Sequence, residues 1–134
     1  MPIININGKE ISYEDNRVID FSEGLIGMPN FRRAVFVESE DCAPFGWLAS
    51  TESDVCFIVV NPADLYEEYD VDGTPGVTAP VDGAVLSLVK VNSDWQKTTV
   101  NLRAPIFVDH ASNRGSQVIL TGSDYKLEEA LPQK

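Results

Sequence analysis

Basic side chains are scarce in this 134-residue chain, where ten lysines and arginines face twenty-one aspartates and glutamates for a formal charge of −11. Such a surface repels a phosphate backbone and an anionic bilayer alike, which argues against direct binding of nucleic acid or membrane. Histidine is scarcer still: His110 stands alone, which excludes multi-histidine metal centres. It leaves one candidate general base, and no G-x-S-x-G elbow accompanies it, so a turn or surface role is expected. Cysteine is limited to Cys42 and Cys56, too few for a disulfide scaffold and without the second ligand pair that zinc requires. Both are expected to be reduced and structural. No apolar run approaches the ~18–20 residues of a membrane span, and no basic leader followed by an apolar stretch opens the sequence, so the expected location is cytoplasmic.

What the chain does have is enough apolar matter, 43% of its residues, to build a core, and a length that fits a single domain over residues 1–134. Valine, isoleucine and threonine number thirty against eighteen for leucine and alanine, a balance that favours pleated surfaces. Short apolar runs recur between turn residues at 3–6, 11–13, 18–21, 34–37, 55–60, 84–91, 98–103, 106–109 and 117–121, about nine strands. VCFIVV, residues 55–60, is unbroken and predicts a strand covered on both faces. Asn7-Gly8 predicts a tight hairpin, and residues 112–115 a longer turn, so pairing is expected to be antiparallel and local. One or two very short helices are expected. Asn61 caps the first ahead of Pro62, and Ser123 or Asp124 caps the second, which puts Leu127 and Leu131 on one face. The fold expected is all-β: an antiparallel barrel or strongly curved sandwich.

The acidity is uneven, with net charges of −8 over residues 1–67 and −3 over 68–134. Carboxylates gather at Asp64, Glu67, Glu68, Asp70 and Asp72. The run DVDG, residues 70–73, resembles the opening of a calcium loop but lacks the third oxygen ligand and the glutamate at position twelve. A solvated acidic rim is the plainer reading, and no metal or cofactor is called for. An acidic calcium-binding β-module remains the alternative, one that calcium would stabilise against heat. An acidic hydrolase ranks behind it. Gly24 and Gly27 lack phosphate-cradling spacing, and Phe21, Leu25, Met28, Phe31 and Trp47 read as core.

Read in order, several strings resemble the FliW family of flagellar assembly factors. They are IDFSEGLIGMPNF at 19–31, Pro44-Phe45 through Leu48 and Ser50, Phe57 to Pro62 with Tyr69, TVNLRAPI at 99–106, and QVIL at 117–120 followed by Tyr125. They span about residues 18–125. The family commonly carries proline at the position of Ile26, phenylalanine at Met28 and aspartate at Asn61. The resemblance implies a non-enzymatic, β-barrel-like protein, monomeric when free, that binds flagellin and the translational regulator CsrA in turn. Binding CsrA would relieve repression of flagellin mRNA by a noncompetitive mechanism, and newly made flagellin would reclaim the protein. A basic RNA-binding partner suits the acidic surface, with Glu67, Glu68, Asp70 and Asp72 as the expected CsrA contact. A terminal helical segment of flagellin would need an apolar groove. Asn101, Ala104 and Pro105 lie in the most recognisable motif, as structural or binding residues.

Overall fold

A strand that is apolar at every position needs cover on both sides, and residues 56–60 receive it. Phe57 and Val59 turn toward an interior cluster that includes Ile19, Leu48, Leu86 and Ile106, while Cys56 and Val60 join two separate clusters outside it. The computed structural model describes residues 2–6, 8–38, 43–71, 82–121 and 123–132.

Among these, a hairpin of β1 (Ile3–Ile6) and β2 (Lys9–Ser12) stands apart from a larger sheet. The sheet contains β3 (Ile19–Asp20), β4 (Arg33–Glu38), β5 (Phe45–Ser50), β6 (Cys56–Val60) and β7 (Gly83–Lys90). It is completed by β8 (Thr99–Val100), β9 (Ile106–Asp109), β10 (Arg114–Gln117) and β11 (Glu129–Ala130). The order is β11-β8-β7-β6-β5-β4-β3-β10-β9, and β7 pairs again with β9, which closes seven strands into a barrel. β7 is long enough to serve twice: Gly83–Leu86 pair with β9, and Val89 and Lys90 pair with β8. The expected all-strand architecture is therefore present, as a closed ring with β8 and β11 appended.

The barrel interior holds Ile19, Phe21, Leu25, Phe31, Ala34, Leu48, Val59, Leu86, Ile106 and Val108. Full burial of a side chain of this size stabilises by about 1.5–3 kcal/mol. The connection from β3 to β4 folds Phe21, Leu25 and Phe31 into this cluster, with ring centroids of Phe21 and Phe31 6.0 Å apart. Outside, the β1–β2 hairpin lays Ile4 and Ile6 on Val35 and Ala49. Cys56 packs against that layer, and burial pushes its thiol pKa up, which suits an inert structural role. Gly8 takes φ +82° in the hairpin turn, and its N–H donates to Asn5 Oδ1 at 2.8 Å. Cys42 lies outside the described residues.

Four features differ from the sequence reading. Phe45–Ser50 is a strand although FGWLAS lacks β-branched residues and contains Gly46. That glycine is required where it stands: a Cβ would lie 2.8 Å from the Phe36 ring. The strand expected at 117–121 lies at Arg114–Gln117 instead, with Gly115 seated where a Cβ would run into the Phe21 ring. The predicted helix beyond Ser123 is not formed. The Lys126 carbonyl accepts from the N–H groups of Leu102 and Arg103, and Glu129–Ala130 pair with β8, so tertiary hydrogen bonds hold that segment extended. Pairing is not wholly local, since β10 meets β3 in parallel at Arg114 and Asp20. Among the described residues three single 3-10 turns occur, at Asp15–Arg17, Pro62–Asp64 and Trp95–Lys97.

Candidate functional site

The acidic cluster follows directly from β6. Asn61 Oδ1 accepts from the Ala63 N–H at 3.0 Å and Pro62 opens one 3-10 turn, as the capping pattern predicts. The chain then keeps turning, with Tyr66 N–H donating to Pro62 O at 2.9 Å and Tyr69 N–H to Tyr66 O at 3.1 Å. Glu67, Glu68 and Asp70 are exposed on this turn, whereas Asp72 lies outside the described residues.

The turn is held from beneath by two tyrosines. Tyr69, half-buried, donates its hydroxyl to the Leu102 carbonyl at 2.8 Å and packs its ring 4.6 Å from that of Tyr125. The Tyr125 hydroxyl accepts from the Asp70 N–H at 2.8 Å. Burial drives the Tyr69 phenol pKa well above its ordinary range, and the adjacent Tyr125 phenol adds to the effect. Tyr66 reaches across to donate to the Ala130 carbonyl at 2.7 Å; burial, then the charge of Glu129, push its pKa up to about 12. The acidic turn is thus a solvent-facing row of carboxylates on a fixed aromatic base.

The motif residues supply that base. Asn101 Oδ1 accepts from the N–H groups of Arg103 at 3.2 Å and Ala104 at 2.9 Å, an Asx turn that ends the strand. Ala104 and Pro105 are buried. Their carbonyls accept from Gln117 Nε2 and from the Val118 N–H, each at 3.0 Å, and the Arg103 carbonyl accepts from the Leu120 N–H at 2.7 Å. Gln117 Oε1 in turn accepts from the Ile26 N–H at 2.8 Å. The fold therefore joins TVNLRAPI, QVIL with Tyr125, and Tyr69, parts of three of the strings that carry the family resemblance. Asn101, Ala104 and Pro105 form its inner side, and Glu67, Glu68 and Asp70 its outer side.

His110 is exposed in the turn after β9, and its backbone N–H donates to Asp82 O at 2.9 Å. Among the described residues no group of three or more histidine, cysteine, aspartate or glutamate side chains is placed to hold a metal ion, and no helix is long and apolar enough to cross a membrane. The sequence reading missed an apolar hollow at the barrel end where β4 and β6 finish and β5 and β7 begin. Its volume is about 420 Å³, and Phe36, Phe45, Val60 and Leu86 line it. The only signal in the sequence is Phe36, two residues beyond inward-facing Ala34 in β4 and therefore on the same face of the strand.

Comparison with known proteins places the chain and its fold in a family. The family model described as FliW protein matches residues 5–131. The flagellar assembly factor FliW of Clostridium beijerinckii is 34% identical, with 91% of this chain and 92% of that protein covered. The flagellar assembly factor FliW of Clostridium botulinum is 35% identical, with 90% and 91% covered. A crystal structure of the flagellar assembly factor FliW superposes with a TM-score of 0.84 at 26% identity and covers 98% of each chain. With the family model spanning nearly the whole barrel, the chain belongs to the FliW family of flagellar assembly factors.

Proposed function

We propose that the protein works in the cytoplasm as a binding protein with two alternating partners, flagellin and the translational regulator CsrA, and transforms neither. Free of flagellin, it binds CsrA and relieves the repression of flagellin mRNA without occupying the RNA site; flagellin, once made, takes it back. The observation that carries this reading is the exposed row of Glu67, Glu68 and Asp70 on a turn anchored through Tyr69 and Tyr125. Fixed carboxylates on a protein of charge −11 steer a basic RNA-binding partner and accelerate its encounter. Because the turn is already ordered, little further conformational entropy is lost when a partner docks.

The test is co-elution of the purified protein with CsrA and, separately, with flagellin, followed by competition between the two. Stable complexes with each, and displacement of CsrA by flagellin, are expected. Failure to retain either partner at low salt overturns the proposal.

A further inference from the structure

The hollow at the β4–β7 end is apolar at its floor and acidic at its lip. Leu86, buried, belongs to the floor, and the Phe36 ring, 39% exposed, stands open above it. That ring is held in place, since it lies so close to Gly46 that a Cβ there would come within 2.8 Å. The charged side chains of the lining are Glu38 and Asp64, both exposed. Among the described residues neither carboxylate has an ion-pair or side-chain hydrogen-bond partner. Arg17 and His110 line a neighbouring hollow of about 280 Å³ that shares Phe36 and Glu38, yet no ion pair joins Arg17 to Glu38.

Two carboxylates without counter-charge, set around an open aromatic ring and an apolar floor, complement an organic cation. A hydrated metal ion would gain nothing from the ring or the floor, and among the described residues no group of three or more metal-ligating side chains gathers here. The two acids stand on different walls. Glu38 ends β4, Asp64 lies in the 3-10 turn after β6, and β5 runs between those two strands. Two strand spacings set β4 and β6 about 10 Å apart. Two ammonium groups joined by a short methylene chain bridge such a gap, with the methylenes laid on Phe36 and an ammonium drawn to the face of its ring. The volume of about 420 Å³ falls within the ~300–1,000 Å³ of small-molecule sites, which recur in the mouths of β-barrels.

We infer that the barrel mouth is a binding site for a small aliphatic diamine or polyamine, with one ammonium on Glu38, another on Asp64 and the methylene chain over Phe36. The charge of −11 raises the local concentration of any such cation around the protein, and the lining of the hollow selects among them. A monoamine meets only one of the two carboxylates. A diamine with too short a chain cannot reach both, and a dicarboxylate is repelled by both. Because the ligand ties the end of β4 to the turn after β6, its binding stabilises the folded barrel. The inference stands apart from the partner-binding reading, since it names a small molecule and a site that does not include Glu67, Glu68 or Asp70.

The experiment is calorimetric titration of the full chain with diaminobutane and diaminopentane, beside ethylenediamine, butylamine and magnesium chloride, at about 0.1 M salt. The two longer diamines are expected to bind about tenfold or more tightly than butylamine or ethylenediamine, and to raise the melting temperature where magnesium at the same concentration does not. Glu38→Gln and Asp64→Asn, both at exposed positions, should each weaken diaminobutane about tenfold, to the level of the monoamine. Glu52→Gln removes one exposed carboxylate in the turn at the opposite end of the barrel and should leave binding within about twofold. Phe36→Leu, verified as folded by its thermal melt, should weaken diamine and monoamine alike by about threefold. Magnesium binding as tightly as diaminobutane, equal affinity for diaminobutane and butylamine, or equal loss from Glu52→Gln overturns the inference, because each marks general attraction of cations to an acidic surface. These titrations need neither CsrA nor flagellin, so their failure is distinguishable from failure of the proposed function.

Discussion

The hydroxyl of Tyr69 meets the carbonyl of Leu102 at 2.8 Å, and this contact joins the acidic turn to the motif segment that closes one side of the molecule. Tyr69→Phe removes the donor and keeps the ring against Tyr125. The expected loss is about 0.5–1.5 kcal/mol in urea unfolding. Tyr69→Ala also removes the ring contact and should cost about 3 kcal/mol or more.

Alkaline pH should destabilise this region before the rest. Tyr66 has its pKa pushed up to about 12 from an ordinary phenol value near 10, so the folded state holds its proton more tightly than the unfolded state. Stability from this group is fully present below pH ~10 and declines as pH rises from ~10 toward ~12, where the unfolded chain binds fewer protons. Tyr69 adds loss in the same direction. Melting temperature measured across that window should fall, and Tyr66→Phe should flatten the decline.

Gly115 and Phe21 are expected to behave as a coupled pair. A Cβ on residue 115 runs into the Phe21 ring, so Gly115→Ala should cost on the order of 1–3 kcal/mol through overpacking. Phe21→Leu clears that space. In a double-mutant cycle, Gly115→Ala should therefore cost clearly less on the Phe21→Leu background; additive costs would show that the contact is relieved elsewhere.

Asn101 separates structural from binding roles in the motif. Asn101→Ala leaves the Ala104 N–H without its acceptor, while the Arg103 N–H keeps the Lys126 carbonyl, at a cost of about 1–3 kcal/mol, and Asn101→Asp restores an acceptor. If CsrA binding falls in the alanine variant while the unfolding midpoint stays put, Asn101 contacts the partner directly.

Neutralising Glu67, Glu68, Asp70 and Asp72 together to the corresponding amides should slow association with CsrA at low salt and change dissociation less. The effect should fade as ionic strength approaches ~0.15 M, where the Debye length is about 8 Å. Unchanged association at low salt would remove this cluster from the interface.

Much of this molecule was visible in the sequence, because its strongest signals are local. VCFIVV announced two-sided burial, Asn61-Pro62 announced a capped turn, and Asn7-Gly8 announced the first hairpin. FGWLAS and RGSQ gave no such signal. Their strand geometry is imposed by neighbours, and Gly46 and Gly115 are read correctly only once the rings of Phe36 and Phe21 are in place. The segment after Ser123 carries a helical pattern that hydrogen bonds from Leu102 and Arg103 override. Of the site, the carboxylates could be listed by composition, but their base depends on Tyr125, 55 residues beyond Asp70. The barrel mouth comes from four strand ends that no window of sequence brings together.

The ring of seven strands is shut by Asp20 meeting Arg114 and by Gly83–Leu86 meeting Ile106–Asp109. During synthesis, the first of those contacts must wait until Arg114 has left the ribosome, long after Asp20. Until then the nascent chain carries strand edges that another chain could pair with. Such distant closing contacts give high contact order and folding on the millisecond-to-second scale. Barrel closure therefore waits for β9 and β10, and C-terminal truncations that remove them should leave an aggregating, unclosed sheet.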